Sequence, residues 1–314
     1  MNTPVRLAAF GVGLVAVFGA ATGLGAVVGP VGPAAEETSP AGHDMAAGPA
    51  EGHDDTTPHD DATPHDGDAA HLPGGLAVSE DGYTLALDRP ALPAGDDVPL
   101  AFRILGPDGS AVTDYAVRHD EDLHLIAVRR DLTGYQHVHP ELGADGVWQA
   151  PLDLSPGSWR VFADFAATAD DADRTLGADL EVAGDYFPEP LPAPSRTAEV
   201  DGYEVTLDGE LVAGEESELS LTVTRDGAPV TDLQPYLGAY GHLVALRTGD
   251  LAYLHVHPTG EPGDGVTAPG PRITFATTTP SAGSYRLFLD FRHGDTVRTA
   301  AFTVTVDGHE EHGS

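Results

Sequence analysis

The chain has 314 residues, with 50 Asp and Glu against 15 Arg, no Lys and no Cys, for a formal net charge of −35. That balance excludes a nucleic-acid footprint, which needs clustered basic charge, and the missing Cys removes disulfides, thiolate catalysis and Cys-based zinc sites. The missing Lys removes P-loops and Schiff-base chemistry, and 38 Gly with 26 Pro leave little room for long helices.

The first predicted element is N-terminal. After Arg6, residues 7–28 form an unbroken run of apolar and small residues, long enough to span a membrane and longer than the core of a usual signal peptide. Residues 1–35 therefore read as an uncleaved membrane anchor or a cleaved signal. Both readings place the remainder outside the cytoplasm, held to the cytoplasmic membrane by a single N-terminal span or secreted. Residues 36–75 follow as a His/Asp-rich tether, with no basic residue and with His43, His53, His59, His65 and His71 among its acids. Its apolar surface is too small to offset the entropy of ordering, so it is expected to be disordered and to offer weak metal sites.

The rest is an internal repeat: residues 76–184, a Pro-rich linker 185–196, residues 197–307, and an acidic tail 308–314 that carries His309 and His312. Asp81-Gly82-Tyr83 recurs as Asp201-Gly202-Tyr203, and Val112-Thr113-Asp114 as Val230-Thr231-Asp232. Gly157-Ser158-Trp159-Arg160 with Asp164-Phe165 recurs as Gly283-Ser284-Tyr285-Arg286 with Asp290-Phe291. In the first copy, alternating segments punctuated by turn residues predict strands near 83–87, 98–105, 123–130, 135–138, 147–152, 158–165 and 176–182. The predicted fold is all-β, two tandem immunoglobulin-like β-sandwich domains. The matched aromatics Trp159/Tyr285, Phe165/Phe291 and Tyr83/Tyr203 read as core.

Of the eight His outside tether and tail, six are matched at a constant offset of 118 residues: His124, His137 and His139 with His242, His255 and His257. His119 and His293 have no counterpart. A two-residue hairpin turn at Gly249-Asp250 pairs residues whose numbers sum to 499, setting His257 opposite His242 with His255 on the same face. The same construction in the first copy, with a sum of 263, sets His139 opposite His124 with His137 beside it. Three imidazoles so placed can converge on one ion. Neutral imidazoles suit Cu(II) or Zn(II) rather than Ca(II) or Mg(II), so a metal site is expected in each copy. Asp164 and Asp290 are candidates for a fourth ligand or for an acceptor that orients a ring. The rival reading pairs them with Arg160 and Arg286.

The phrases His-Leu, Arg, His-Val-His-Pro and Gly-Ser-Trp/Tyr-Arg-x-Phe-x-Asp-Phe resemble those of uncharacterised secreted bacterial proteins. They are similar to YtkA-like domains and, more loosely, to CopC-like copper-handling sandwiches. The resemblance covers residues 76–184 and 197–307 and implies an immunoglobulin-like fold, with the matched His as its signature. The chain departs from it in having no Met-rich copper segment.

The expected function is that of an extracytoplasmic, non-enzymatic protein that buffers or delivers Cu(II) or Zn(II), handing the ion to an unidentified metal-transport partner. The alternatives are a cell-surface interaction module of tandem sandwiches with structural His, and a zinc enzyme with three His ligands. Against the enzyme stands the lack of a general-base or nucleophile motif near the cluster.

Overall fold

The computed structural model describes residues 72–254 and 256–308. The N-terminal apolar run, the tether with its five His, the tail His residues and His255 lie outside them. The described residues contain no helix, and hence none long and apolar enough to cross a membrane.

The first copy folds into β1 (Tyr83–Leu87), β2 (Gly95–Leu105), β3 (Leu123–Arg129), β4 (Gln136–Val138), β5 (Trp148–Leu154), β6 (Gly157–Ala167) and β7 (Asp173–Val182), at all seven expected places. One sheet runs β1-β2-β5, with the short segments Ser79–Glu80 and Glu141–Leu142 on its edges. The other runs β7-β6-β3-β4. The second copy holds β8 (Tyr203–Asp208), β9 (Glu216–Arg225), β10 (His242–Arg247), β11 (Tyr253–Leu254), β12 (Val256–Pro258), β13 (Arg272–Thr278), β14 (Gly283–His293) and β15 (Thr296–Val306). Its sheets run β8-β9-β13-β12 and β11-β10-β14-β15. A three-strand sheet facing the four-strand sheet of strands three, four, six and seven is immunoglobulin-like.

Period-two alternation builds each core. Along β5, Trp148, Ala150, Leu152 and Leu154 are buried while Gln149, Pro151 and Asp153 face out. Trp159, Tyr83 and Phe165 fill the first core, and Tyr285, Tyr203 and Phe291 fill the second. The polar tips of the matched pair are satisfied alike: Trp159 Nε1 donates to Ser155 O and the Tyr285 hydroxyl to Ser281 O, each at 2.8 Å.

β3 breaks the alternation, with all seven residues buried. Leu123, Leu125 and Ala127 enter the first core, whereas Ile126 and Val128 face the other way. They join Leu132 and Phe162 against Val244, Leu246, Leu251, Tyr253 and Phe288 of the second copy. A strand covered on both faces is apolar on both, and here the second cover is the other repeat. Tyr135 stacks on Phe288 with ring centres 4.0 Å apart, and its counterpart Tyr253 packs on Phe162 at 5.6 Å. Equivalent residues touching reciprocally make the interface pseudo-twofold.

The hairpin registers are those expected: Ile126 pairs with His137, and Ala245 with Leu254. The turn is not. Arg247 N donates to Ala252 O and Leu251 N to Arg247 O, which makes a loop of residues 248–251. The loop lengthened symmetrically about the same centre, so the register survived.

Candidate metal centre

His124 stands on the outward face of β3, beside Ile126. Residues directly opposite on antiparallel strands share a face, so His137, opposite Ile126, points the same way, as does His139 one pleat further on. The three ring centres form a near-equilateral triangle with sides of 5.3, 5.2 and 5.2 Å. Imidazoles bound at ~2.0–2.1 Å place their ring centres about 3.2 Å from an ion and, around a tetrahedral one, about 5.2 Å from each other. One ligand atom from each ring lies within 4.8 Å of the other two.

The hydrogen bonds fix the tautomers. His124 Nε2 lies 3.0 Å from Arg118 O, and a carbonyl only accepts, so Nε2 carries the proton and Nδ1 is left with a lone pair. His137 Nδ1 donates to Asp290 Oδ2 at 3.1 Å, which leaves His137 Nε2 as the nitrogen facing His124. His124 Nδ1 and His137 Nε2 are hydrogen-bonded at 3.1 Å, close to the ~3.3 Å edge of a tetrahedral nitrogen shell, so an ion there would take the place of the shared proton. The third nitrogen, His139 Nε2, is buried without a hydrogen-bond partner, which costs free energy unless something fills the gap. Burial, reinforced by repulsion from His137, pushes His124 down to about 3 and His139 down to about 4. Neutral rings are the ligating form.

The carboxylate that orients His137 belongs to the second repeat. Asp290 is buried and pairs across the sheet with His242. Its Oδ1 accepts the Thr299 hydroxyl at 2.6 Å, and its Oδ2 also accepts the Tyr135 hydroxyl at 3.2 Å. Its counterpart Asp164 pairs with His124 in the same register and accepts the Thr175 hydroxyl at 3.0 Å. The rival ion pairs do not form: Arg160 bonds to Gly75 O, Leu76 O and Asp179, and Arg286 bonds to the Thr303 hydroxyl. Thr175 and Thr299 were not singled out in the sequence. They occupy equivalent strand positions, and that match was the available signal.

Of the second triplet, His255 lies outside the described residues, and His257 does not join His242 as expected. After Leu254 the chain leaves β10, and β12 pairs with β13 in the opposite sheet, His257 with Ala276. In the first copy, β4 stays on β3 through Val138, and the crossing comes later, at Glu141–Leu142. Crossing about three residues early puts His257 in the wrong sheet, exposed, while His242 turns toward the first repeat's cluster. His242 Nε2 donates to Leu237 O at 2.9 Å and Tyr236 O at 3.1 Å. Its ring lies 6.2 Å from His124 and 6.1 Å from His137.

His119, unmatched in the repeat, completes the group. It sits with Asp120 at the tip of a turn closed by reciprocal bonds between Arg118 and Glu121. Both residues have positive φ, 50° and 67°, the geometry of a two-residue hairpin turn. The exposed ring reaches within 5.3 Å of His242 and 6.1 Å of His124. A cavity of about 30 Å³ lies among His119, His124, His137, His242 and Asp164, room for a single water or ion.

A family model described as a domain of unknown function, DUF8832, matches residues 77–184 and 198–308. That match links the chain to neither YtkA-like nor CopC-like domains. No curated protein matches. Similar solved structures include a DUF4426 family protein of Pseudomonas aeruginosa, 11% identical over 35% of this chain and 92% of that one, with a TM-score of 0.24. The Escherichia coli adhesin FdeC is 17% identical over 74% of this chain and 66% of its own, with a TM-score of 0.23. The fibronectin(III)-like modules of Clostridium thermocellum CbhA are 8% identical over 74% and 98%, with a TM-score of 0.20.

Proposed function

The chain belongs to the DUF8832 family through both repeats, and we propose that this member captures a divalent first-row metal ion, Cu(II) or Zn(II), on His124, His137 and His139. One observation carries the reading: three imidazoles whose ring centres stand 5.2–5.3 Å apart, two of them joined nitrogen to nitrogen at 3.1 Å and held by hydrogen bonds on the far sides of their rings, the third with a buried nitrogen that lacks a hydrogen bond. A cation displaces the proton shared by the first two and takes the lone pairs of all three. An all-nitrogen set favours Cu(II) and Zn(II) over the oxygen-seeking Ca(II) and Mg(II).

The role is storage or delivery outside the cytoplasm, not catalysis. The tether and tail His collect ions weakly around the structured site, and the net charge of −35 raises the local cation concentration.

The test is calorimetric titration of the full chain with Cu(II) and Zn(II), beside a His124→Ala/His137→Ala variant. One tight equivalent is expected in the parent and none in the variant, with weak tether binding unchanged in both. Equal titrations would overturn the reading and leave a tandem-sandwich interaction module.

A further inference from the structure

Resting on that reading, we infer that the coordination shell is closed by His242, so that the ion is held by four imidazoles drawn from both repeats. Three observations converge on it. His242 Nε2 donates to two backbone carbonyls, 2.9 and 3.1 Å away, so the neutral ring keeps its lone pair on Nδ1, the same tautomer as its counterpart His124. The residue is only 8% exposed, so that nitrogen is drawn largely out of water. It also lines the 30 Å³ cavity together with His124 and His137.

The remaining distance is small. The His242 ring stands 6.2 and 6.1 Å from those of His124 and His137, against about 5.2 Å in a closed tetrahedral shell. An approach of roughly 1 Å brings both separations to that value, and the cavity lined by His124, His137 and His242 is the space that such an approach consumes. His242 stands on β10, whose Val244 and Leu246 pack in the inter-repeat cluster. Its approach therefore draws the two sandwiches together, and the ion becomes a clamp across their interface. Among the described residues of the second repeat, the other expected ligand, His257, is exposed and paired into the opposite sheet.

The deciding experiment is X-ray absorption at the zinc edge on full-length protein. It is given less than one equivalent of Zn(II) in excess citrate, which keeps the weak tether sites empty. Four imidazoles are expected in the parent protein and three with one oxygen in His242→Gln, with the dissociation constant of the variant raised about 10- to 100-fold. A parent site of three imidazoles, or a variant of unchanged spectrum and affinity, overturns the inference while leaving the three-His site standing. No tight zinc in the parent overturns both. If the variant fails to fold, the imidazole count of the parent decides alone.

Discussion

Asp290 shows how one side chain in the second repeat sets the chemistry of a ring in the first. Its Oδ2 accepts a hydrogen bond from His137 Nδ1, with Tyr135 and Thr299 holding the carboxylate in place. A carboxylate behind a ligating imidazole raises its basicity and fixes its orientation. Asp290→Asn keeps the shape and removes the charge, and is expected to weaken metal binding about 10- to 100-fold at a cost in stability too small to unfold the protein. Competition with a chromogenic chelator measures this, and an affinity within a factor of two of the parent would refute the role. The residue types at this scale were legible in the sequence: His124, His137 and His139 as a set, and Asp164 and Asp290 as accessories. His119 was not, because its place depends on a turn that puts two consecutive non-glycine residues at positive φ.

At the scale of the hairpin, the matched Arg serves the turn rather than the metal. Arg129 grips both oxygens of Asp131 at 2.9 and 2.8 Å and bonds the Ser155 hydroxyl; Arg247 does the same with Asp250 and Ser281. Each turn ends in a Leu at positive φ, Leu132 at 66° and Leu251 at 63°. That conformation costs roughly 1–2 kcal/mol for a side chain with a Cβ, so glycine would suit the backbone better. Yet Leu132 and Leu251 are 5% and 1% exposed and sit in the inter-repeat cluster. Emptying a buried Leu site costs about 2–5 kcal/mol, which outweighs the relief. Leu251→Gly is therefore expected to lower stability by roughly 1–3 kcal/mol in urea unfolding. A stabilised variant would show that the interface does not need this side chain.

For the molecule as a whole, the buried cluster ties stability to pH. In the metal-free protein, burial is the largest influence and lowers His124 to about 3 and His139 and His242 each to about 4. The unfolded chain takes up these protons at about 6.5. As pH falls below that value the unfolded state binds more protons, so stability is complete above about pH 6.5 and declines toward pH 4. Each ring adds a slope of up to ~1.4 kcal/mol per pH unit. The melting temperature of chelator-treated protein should therefore drop steeply between pH 6.5 and 4.5, and saturating Zn(II) should raise it at pH 7.5. A flat profile over that range would mean that the rings are hydrated rather than buried.

Alternation, turn residues and the repeat were enough, from sequence, to specify the seven strands of the first copy, the sandwich class and the register of the hairpin residues next to each turn. All of these are local properties with a period of two and survive small errors in loop length. What the sequence left open was the partner of the second face of β3. Ile126 and Val128 are apolar on the face that also carries His124, and periodicity alone cannot separate the rim of one core from a contact with another domain. Docking of the repeats decided it. The early crossing of β12 withdrew His257, and the pseudo-twofold brought Asp290 and His242 onto the first triplet. The first triplet thus stands beside side chains of the other repeat, because contacts between residues more than a hundred positions apart are fixed by packing and not by spacing along the chain.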